Sequence, residues 1–223
     1  MFLELPDFLN ESEVAELRAM ADSGDFGDGL ATAPGTPREI KDNEQLRASE
    51  AEQARLTLIL RAAMQRSLPF QNFAQVARIR APLLSRYKPG MKYERHLDAP
   101  ILFGKQAIRS DLSMTIFLSD PGTYDGGALM LETDFGQVTC RQGAGGAVCY
   151  STLHFHQVQE VTRGERLALV TWFQSRIRDP QQRALLFDVC RTIGELSASH
   201  PDHRALNRLR KIQSNMIRLW SDL

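Results

Sequence analysis

From Ser110 to Ser175 the chain is cut into short β-prone runs by glycine and charged turns: "SDLSMTIFLSD", "GALMLET", "GQVTCRQG", "GGAVCYST", "HQVQEV" and "ERLALVTWFQS". Short strands at this spacing point to a sandwich or barrel and away from βαβ units. "FAQVARIRAPLLSRY" extends the pattern upstream, with alternation from Phe73 interrupted at Pro82, and "PGTYDGG" reads as a loop between two strands.

The flanks read differently. "NESEVAELRAMADS" offers Asn10 and Ser12 as helix caps and sets Val14, Leu17 and Met20 at helical spacing. A glycine-rich turn region, "GDFGDGLATAPGTP", has room for a short strand. "NEQLRASEAEQARLTLILRAAMQRS" then predicts a long helix ending before Leu68-Pro69, with Arg55, Arg61 and Arg66 on a solvated face. Asp179-Pro180 combines an N-cap with a proline at the first helical position. Beyond it, Leu185, Val189, Ile193 and Leu196 form one apolar stripe, and Leu206, Leu209, Ile212, Met216 and Leu219 another. These stripes are expected in the core or at contacts between copies of the chain. The layout is a helical segment 1–72, a β core 73–178 and a helical extension 179–223, the first two forming one domain, 1–178.

Composition removes several classes. With 43% hydrophobic and 24% charged residues over 223, the chain can bury a sizeable core. Lys plus Arg equals Asp plus Glu at 27 each, which argues against bulk electrostatic capture of nucleic acid or anionic membrane. No run approaches the roughly 18 apolar residues of a membrane span. The start, "MFLELPDFLNESE", is acidic where a secretory signal is basic and then apolar, so a cytoplasmic location is expected. Cys140, Cys149 and Cys190 are odd in number and lack CxxC spacing, which predicts buried free thiols.

Against this background "KPGMKYERHLDAP" stands out. His96 and Asp98 lie at i and i+2, so on a strand both side chains point to one face. Imidazole and carboxylate are what a two-histidine, one-carboxylate Fe(II) site needs, because three such ligands leave coordination positions open. The pair alone is weak and needs a third ligand from a distant strand. His154 and His156 are both candidates. Ten residues after His156, Arg166 opens the apolar strand "RLALVTWF". It could clamp a carboxylate in bidentate fashion, or it could be a surface arginine of the hairpin "TRGER".

H-x-D, then 58 residues to a histidine and ten more to a basic residue, resembles the iron(II)/2-oxoglutarate dioxygenases of the prolyl-hydroxylase type. "RYKPGMKYERHLDAPI", "IRSDLSMTIFLSDPGTYDGGALML", "HQVQEVTRGERLALVTWFQSRIRD" and "RALLFDV" resemble the bacterial PKHD-type hydroxylases in particular. The early "DGLATA" and "KDNEQL" are similar to that family's N-terminal segment, so the likeness covers most of the chain.

The resemblance implies a double-stranded β-helix, or jelly roll, with flanking helices. It implies Fe(2+) on His96, Asp98 and His156, with Arg166 holding the far carboxylate of 2-oxoglutarate. His156 is preferred to His154 because it keeps the family's spacing to "VTRG". His154 is then a supporting group, a substrate contact or merely structural. Tyr87 and Tyr93 resemble tyrosines lining the 2-oxoglutarate pocket. Phe117 stands where some relatives have a tyrosine that helps bind the far carboxylate, with Thr171 or Tyr87 as its replacement. Arg86 is a candidate substrate contact or a salt-bridge partner, and Arg109 flanks the same strands. Phe117, Leu129, Leu131, Leu169 and Trp172 are expected as funnel walls.

The implied activity is hydroxylation of a substrate C–H bond with O2 and 2-oxoglutarate, releasing succinate and CO2, with L-ascorbate as a candidate reductant. The substrate is a small molecule, with iron uptake as one implied setting, or a peptidyl residue. No nucleic-acid or membrane partner is expected, and the C-terminal helices are candidates for pairing two copies. Two alternatives stay open: a cupin-like metalloenzyme that does not use 2-oxoglutarate, and a non-catalytic iron- or oxygen-sensing module.

Overall fold

Two large antiparallel sheets and two two-stranded ribbons make up the β structure of the described residues. The structure, a computed structural model, describes residues 1–33, 35–104 and 106–222. Pro34 of the expected turn region and Leu223 at the end of the C-terminal extension lie outside the described residues. The larger sheet has eight strands. From one edge it runs Phe2–Leu5, Ala147–Ser151, Leu112–Phe117, Arg166–Ser175, Leu83–Tyr87, Glu44–Leu46 and Phe26–Asp28, and Val76–Ile79 pairs with the far end of Arg166–Ser175. The smaller has five, in the order Gly136–Cys140, Leu129–Thr133, His156–Val158, Lys92–His96 and Lys41–Asp42. This is the jelly-roll core with flanking helices that the resemblance implies.

Strand alternation divides the apolar residues between two cores. Leu84, Leu112, Met114, Ile116, Leu169 and Phe173 point from the larger sheet toward the helices. Phe117, Leu129, Leu131, Cys140, Val148 and Tyr150 form a second core between the sheets. Leu169 is therefore not a funnel wall: it lies in register with Ile116, on the helical face. Trp172 is opposite Ser113 and shares the inner face with Phe117.

Five α-helices flank the sheets: α1 Glu11–Ser23, α2 Glu50–Arg66, α3 Leu68–Ala74, α4 Pro180–Ser199 and α5 Ala205–Trp220. Asn10 caps α1 through a reciprocal box with Glu13, and Ser12 donates to Asn10 Oδ1 instead of capping. The second helix starts later than its pattern predicts. Ser49 and Glu52 form the capping box that opens it, and Glu44–Leu46 is a strand. Arg55 and Arg66 pair with Glu16 and Glu13 of α1. The sequence pattern misses α3 altogether. Ser67 caps it and Pro69 occupies its first turn, where a missing N–H leaves no bond unmade. Phe73 thus belongs to a helix, not to the β core.

Residues 1–72 also supply four strands, each two to four residues long, to the sheet edges. Such runs are too short to show periodicity. Asp179 caps α4 as expected, accepting from the Gln181 and Gln182 amides. The α4 stripe is displaced by one residue, so that Leu186, Phe187 and Cys190 are buried and Leu185 is exposed. On α5, Leu206 is buried and Met216, Ile217 and Trp220 pack inward, while Ile212 is exposed and Leu219 is 80% exposed. Cys140, Cys149 and Cys190 are free and buried. No helix among the described residues is long and apolar enough to cross a membrane.

Candidate active site

His96 ends one strand of the smaller sheet and His156 begins its neighbour, the two facing each other in register. Asp98 follows two residues after His96. One ligand atom from each of His96, Asp98 and His156 lies within 4.8 Å of the others, and His156 Nε2 is 3.7 Å from Asp98 Oδ2. Each imidazole has its Nδ1 against a carbonyl, that of Glu94 at 2.7 Å for His96 and that of His154 at 3.3 Å for His156. An Nδ1–H donating to a carbonyl fixes the tautomer and leaves the Nε2 lone pair free. Burial first, and the neighbouring His156 second, bring the pKa of His96 down to about 3, so it stays a neutral donor. Asp98 Oδ2 is buried with no hydrogen-bond partner among the described residues. A carboxylate oxygen in that state calls for a cation, and the donor set is the one an open Fe(II) site uses.

A bulge in Lys92–His96, where the pairing to His156–Val158 slips, brings Tyr93 and His96 to the same face. Tyr93 therefore lies against His96, with ring centroids 3.5 Å apart, and also packs on the cluster of Tyr87, Val158 and Val161. Tyr150 meets His156 edge-on at 5.1 Å.

Arg166 enters from the larger sheet. It is 1% exposed, and its Nε and Nη2 have no hydrogen-bond partner among the described residues. Its guanidinium lies between the rings of Tyr87 at 5.2 Å and Phe117 at 5.5 Å. A guanidinium with free donors among aromatic rings suits a carboxylate, and a low local dielectric would strengthen the pair. Gly127, at φ +62, leaves room for it: a Cβ there would lie 3.0 Å from Arg166 Cδ and 2.9 Å from Val161 Cγ2.

The remaining candidates separate cleanly. Arg86 lies one residue from Tyr87 and so on the opposite face. It pairs with Glu44 through Nη2 at 2.6 Å and stacks on Phe26 at 3.9 Å. It is a salt-bridge partner. Arg109 is held by Asp111. Thr171 sits opposite Met114 and donates to the Arg80 carbonyl, which turns it away from Arg166. The His154 side chain faces the Met1 amino group at 3.4 Å. Its backbone carbonyl, not its ring, reaches His156.

Three polar residues of this region escaped the sequence reading. Lys41, 4% exposed, lies 5.2 Å from the Tyr93 ring centroid and donates to the Gly29 carbonyl and Thr32 Oγ1. Asn43 is buried beside Gly29, whose amide donates to the Asn43 carbonyl at 2.8 Å. Tyr150 is buried in the core between the sheets. The segments "DGLATA" and "KDNEQL" thus pack on each other. Only their joint likeness to one family signalled it.

Comparison with known proteins gives the same picture from outside. Residues 82–174 match the 2OG-Fe(II) oxygenase superfamily and residues 180–222 the PKHD-type hydroxylase C-terminal domain. A PKHD-type hydroxylase of Maricaulis maris (strain MCS10) is 38% identical over 225 residues, covering 100% of both chains. Among solved structures, a Trichoplax adhaerens prolyl hydroxylase in complex with a hypoxia inducible factor peptide fragment superposes with TM-score 0.60 at 18% identity, covering 82% of this chain and 86% of that one. HygX from Streptomyces hygroscopicus, with nickel, 2-oxoglutarate and hygromycin B bound, gives 0.54 at 18% identity over 78% and 82%.

Proposed function

The chain belongs to the PKHD-type hydroxylases of the 2OG-Fe(II) oxygenase superfamily, and from that premise we propose that His96, Asp98 and His156 hold Fe(II) while Arg166 and Tyr87 receive 2-oxoglutarate. The enzyme is then a hydroxylase acting on a C–H bond of a small molecule or a peptidyl residue. Fe(II), with 2-oxoglutarate and dioxygen, supplies the oxidising power, with succinate and carbon dioxide as by-products. One observation carries the reading: the buried unsatisfied groups at the two ends of the site are opposite in kind. Asp98 Oδ2 and the Arg166 Nε and Nη2 have no hydrogen-bond partner among the described residues; the first suits a cation and the second a carboxylate. A metal cation on Asp98 meets the first demand, and a dianion that binds this metal at one end and Arg166 at the other meets the second.

The chain's own residues do the positioning. The Glu94 and His154 carbonyls aim the two imidazoles, and Tyr93 keeps the His96 ring from turning. Tyr87 and Phe117 keep water from the guanidinium. The inner-face residues Phe117, Leu129 and Leu131 make a dry wall for the substrate end. Residues 1–178 form the oxygenase unit in this reading, and 179–223 an extension seated on it through Phe187 against Phe73. The two solved relatives named above hold a peptide in one case and hygromycin B in the other, which supports keeping both substrate classes.

The test is anaerobic reconstitution with Fe(II) and 2-oxoglutarate. A weak visible charge-transfer band is expected in the wild type and in His154→Ala, and none in His156→Ala. Arg166→Ala should not develop the band at a 2-oxoglutarate concentration that saturates wild type. A band lost on His154→Ala but kept on His156→Ala overturns the ligand set. A band and activity unaffected by Arg166→Ala would favour a metalloenzyme that needs no 2-oxoglutarate.

A further inference from the structure

A carboxylate has two oxygens, and a single guanidinium orients it fully only when both are held. Phe117 approaches Arg166 with a ring and no hydroxyl, so the second hydrogen bond must come from elsewhere. Sheet register supplies a source. Arg166 pairs directly with Tyr87. On the other side of Tyr87 the register runs Gln45 to Ser85 and Glu44 to Arg86, and one further step sets Asn43 opposite Tyr87. Tyr87 and Arg166 are opposite each other on adjacent strands, and Asn43, immediately before the strand Glu44–Leu46, extends their row by one place, where side chains directly opposite are within reach of each other. All are buried, Asn43 to 3%, Tyr87 to 4% and Arg166 to 1% exposure.

Asn43 fits that row closely. A Cβ on Gly29 would fall 1.9 Å from Asn43 Oδ1 and 2.9 Å from its carbonyl oxygen, so glycine is what lets the side chain occupy this place. Its Oδ1 has no hydrogen-bond partner among the described residues. The register sets its amide one step beyond the Glu44–Arg86 pair, beside Tyr87. Burial pushes the Tyr87 phenol up, and the Arg166 charge and then the Asn43 hydrogen bond offset part of that rise. The phenol remains protonated, and accepting from Asn43 leaves its own proton to donate elsewhere.

We infer that Asn43 is a positioning residue of the co-substrate pocket: it holds the Tyr87 hydroxyl so that its proton turns to the same carboxylate that Arg166 receives. The inference rests on the reading of Arg166 as the 2-oxoglutarate anchor. It explains how a pocket with phenylalanine at 117 keeps two donors on that carboxylate, and it gives the "KDN" segment a task at a distance from the metal.

The test is binding, not turnover. The full chain is loaded anaerobically with Fe(II) and titrated with 2-oxoglutarate by absorbance. It is titrated in parallel with pyruvate, a 2-oxo acid without the far carboxylate. Asn43→Ala should raise the 2-oxoglutarate Kd about tenfold, the effect of one hydrogen bond to a charged group, and leave pyruvate and Fe(II) affinity unchanged. Tyr87→Phe should match it, and the double variant should be no worse than the weaker-binding single, because Asn43 acts through Tyr87. Adding Phe117→Tyr to Asn43→Ala should restore much of the loss by returning a hydroxyl to the Arg166 surroundings. If Asn43→Ala does not fold, Asn43→Asp replaces it, keeping the shape while removing the donor. Unchanged 2-oxoglutarate affinity in the variant, or equal losses for 2-oxoglutarate and pyruvate, overturns the inference. Wild type that takes up no 2-oxoglutarate overturns the parent reading instead.

Discussion

Tyr93 lies flat on His96, the ring centroids 3.5 Å apart and the planes 9° from parallel. Together with the Nδ1 contact to the Glu94 carbonyl, the stack fixes both the tilt and the rotation of the imidazole. Supporting contacts of this sort set how well a ligand holds its metal. Tyr93→Ala should therefore weaken metal binding by about tenfold or more, measured by competition with a chelator, while Tyr93→Phe keeps wild-type affinity. Equal affinity in Tyr93→Ala and wild type would remove the ring from the account.

Lys41 gives a pH signature. Burial, partly offset by Asp28 and Asp98, lowers its pKa from 10.5 to about 8. Between those values the unfolded chain holds a proton that the folded chain has released, so folding stability contributed by Lys41 rises with pH across that window. Below about 8 both states are protonated and that contribution is absent. Urea unfolding from pH 7.5 to 10.5 should show wild-type stability rising with pH more steeply than that of Lys41→Met, which has no such group to titrate. Parallel pH profiles would contradict the buried ammonium.

Gly127 should be sensitive to a single methyl group. Its φ of +62 costs a non-glycine residue about 1–2 kcal/mol, and the new Cβ would press on Val161 and Arg166. Gly127→Ala is expected to lower thermal stability and 2-oxoglutarate affinity together. Ala at the solvent-open Gly122, where no atom lies within 4 Å of the new Cβ, should change neither.

Phe187 ties the C-terminal helices to the rest. Its ring meets Phe73 of α3 edge-on at 5.3 Å and joins the core beneath the larger sheet. Phe187→Ala should destabilise the protein by about 3–5 kcal/mol and speed proteolysis near the start of α4. A denaturation midpoint matching wild type would mean that α4 is held without it.

The β core was legible because its strands are long enough for alternation to show, as in Leu112–Phe117 and Arg166–Ser175. The edge strands were not. Phe2–Leu5 pairs with Ala147–Ser151, and nothing local in "FLEL" announces a partner so far along the chain. The helix Leu68–Ala74 hid behind Pro69, read as a stop where it is a first-turn residue. Leu185 was preferred over Leu186 because the helix is buried on a face shared between α3 and α5, which period alone does not define. At the site, His96, Asp98, His156 and Arg166 could be marked from their spacing and family likeness, and the structure brings the first three together. Asn43, Lys41 and Tyr150 could not, because their roles come from register across strands distant in sequence.

The two ends of the site belong to different sheets: His96 and His156 are neighbours in the five-stranded one, and Arg166 belongs to the eight-stranded one. Whatever grips both ends is a clasp across the sandwich. Occupancy and closure become one linked equilibrium, in which a ligand adds RT ln(1 + [L]/Kd) to the folded state. The motion it suppresses is separation of the two sheets, not fraying of the outer helices. Slowed hydrogen exchange on filling the site should therefore appear along both inner strands at once, Lys92–His96 and Arg166–Ser175, although they share no backbone pairing.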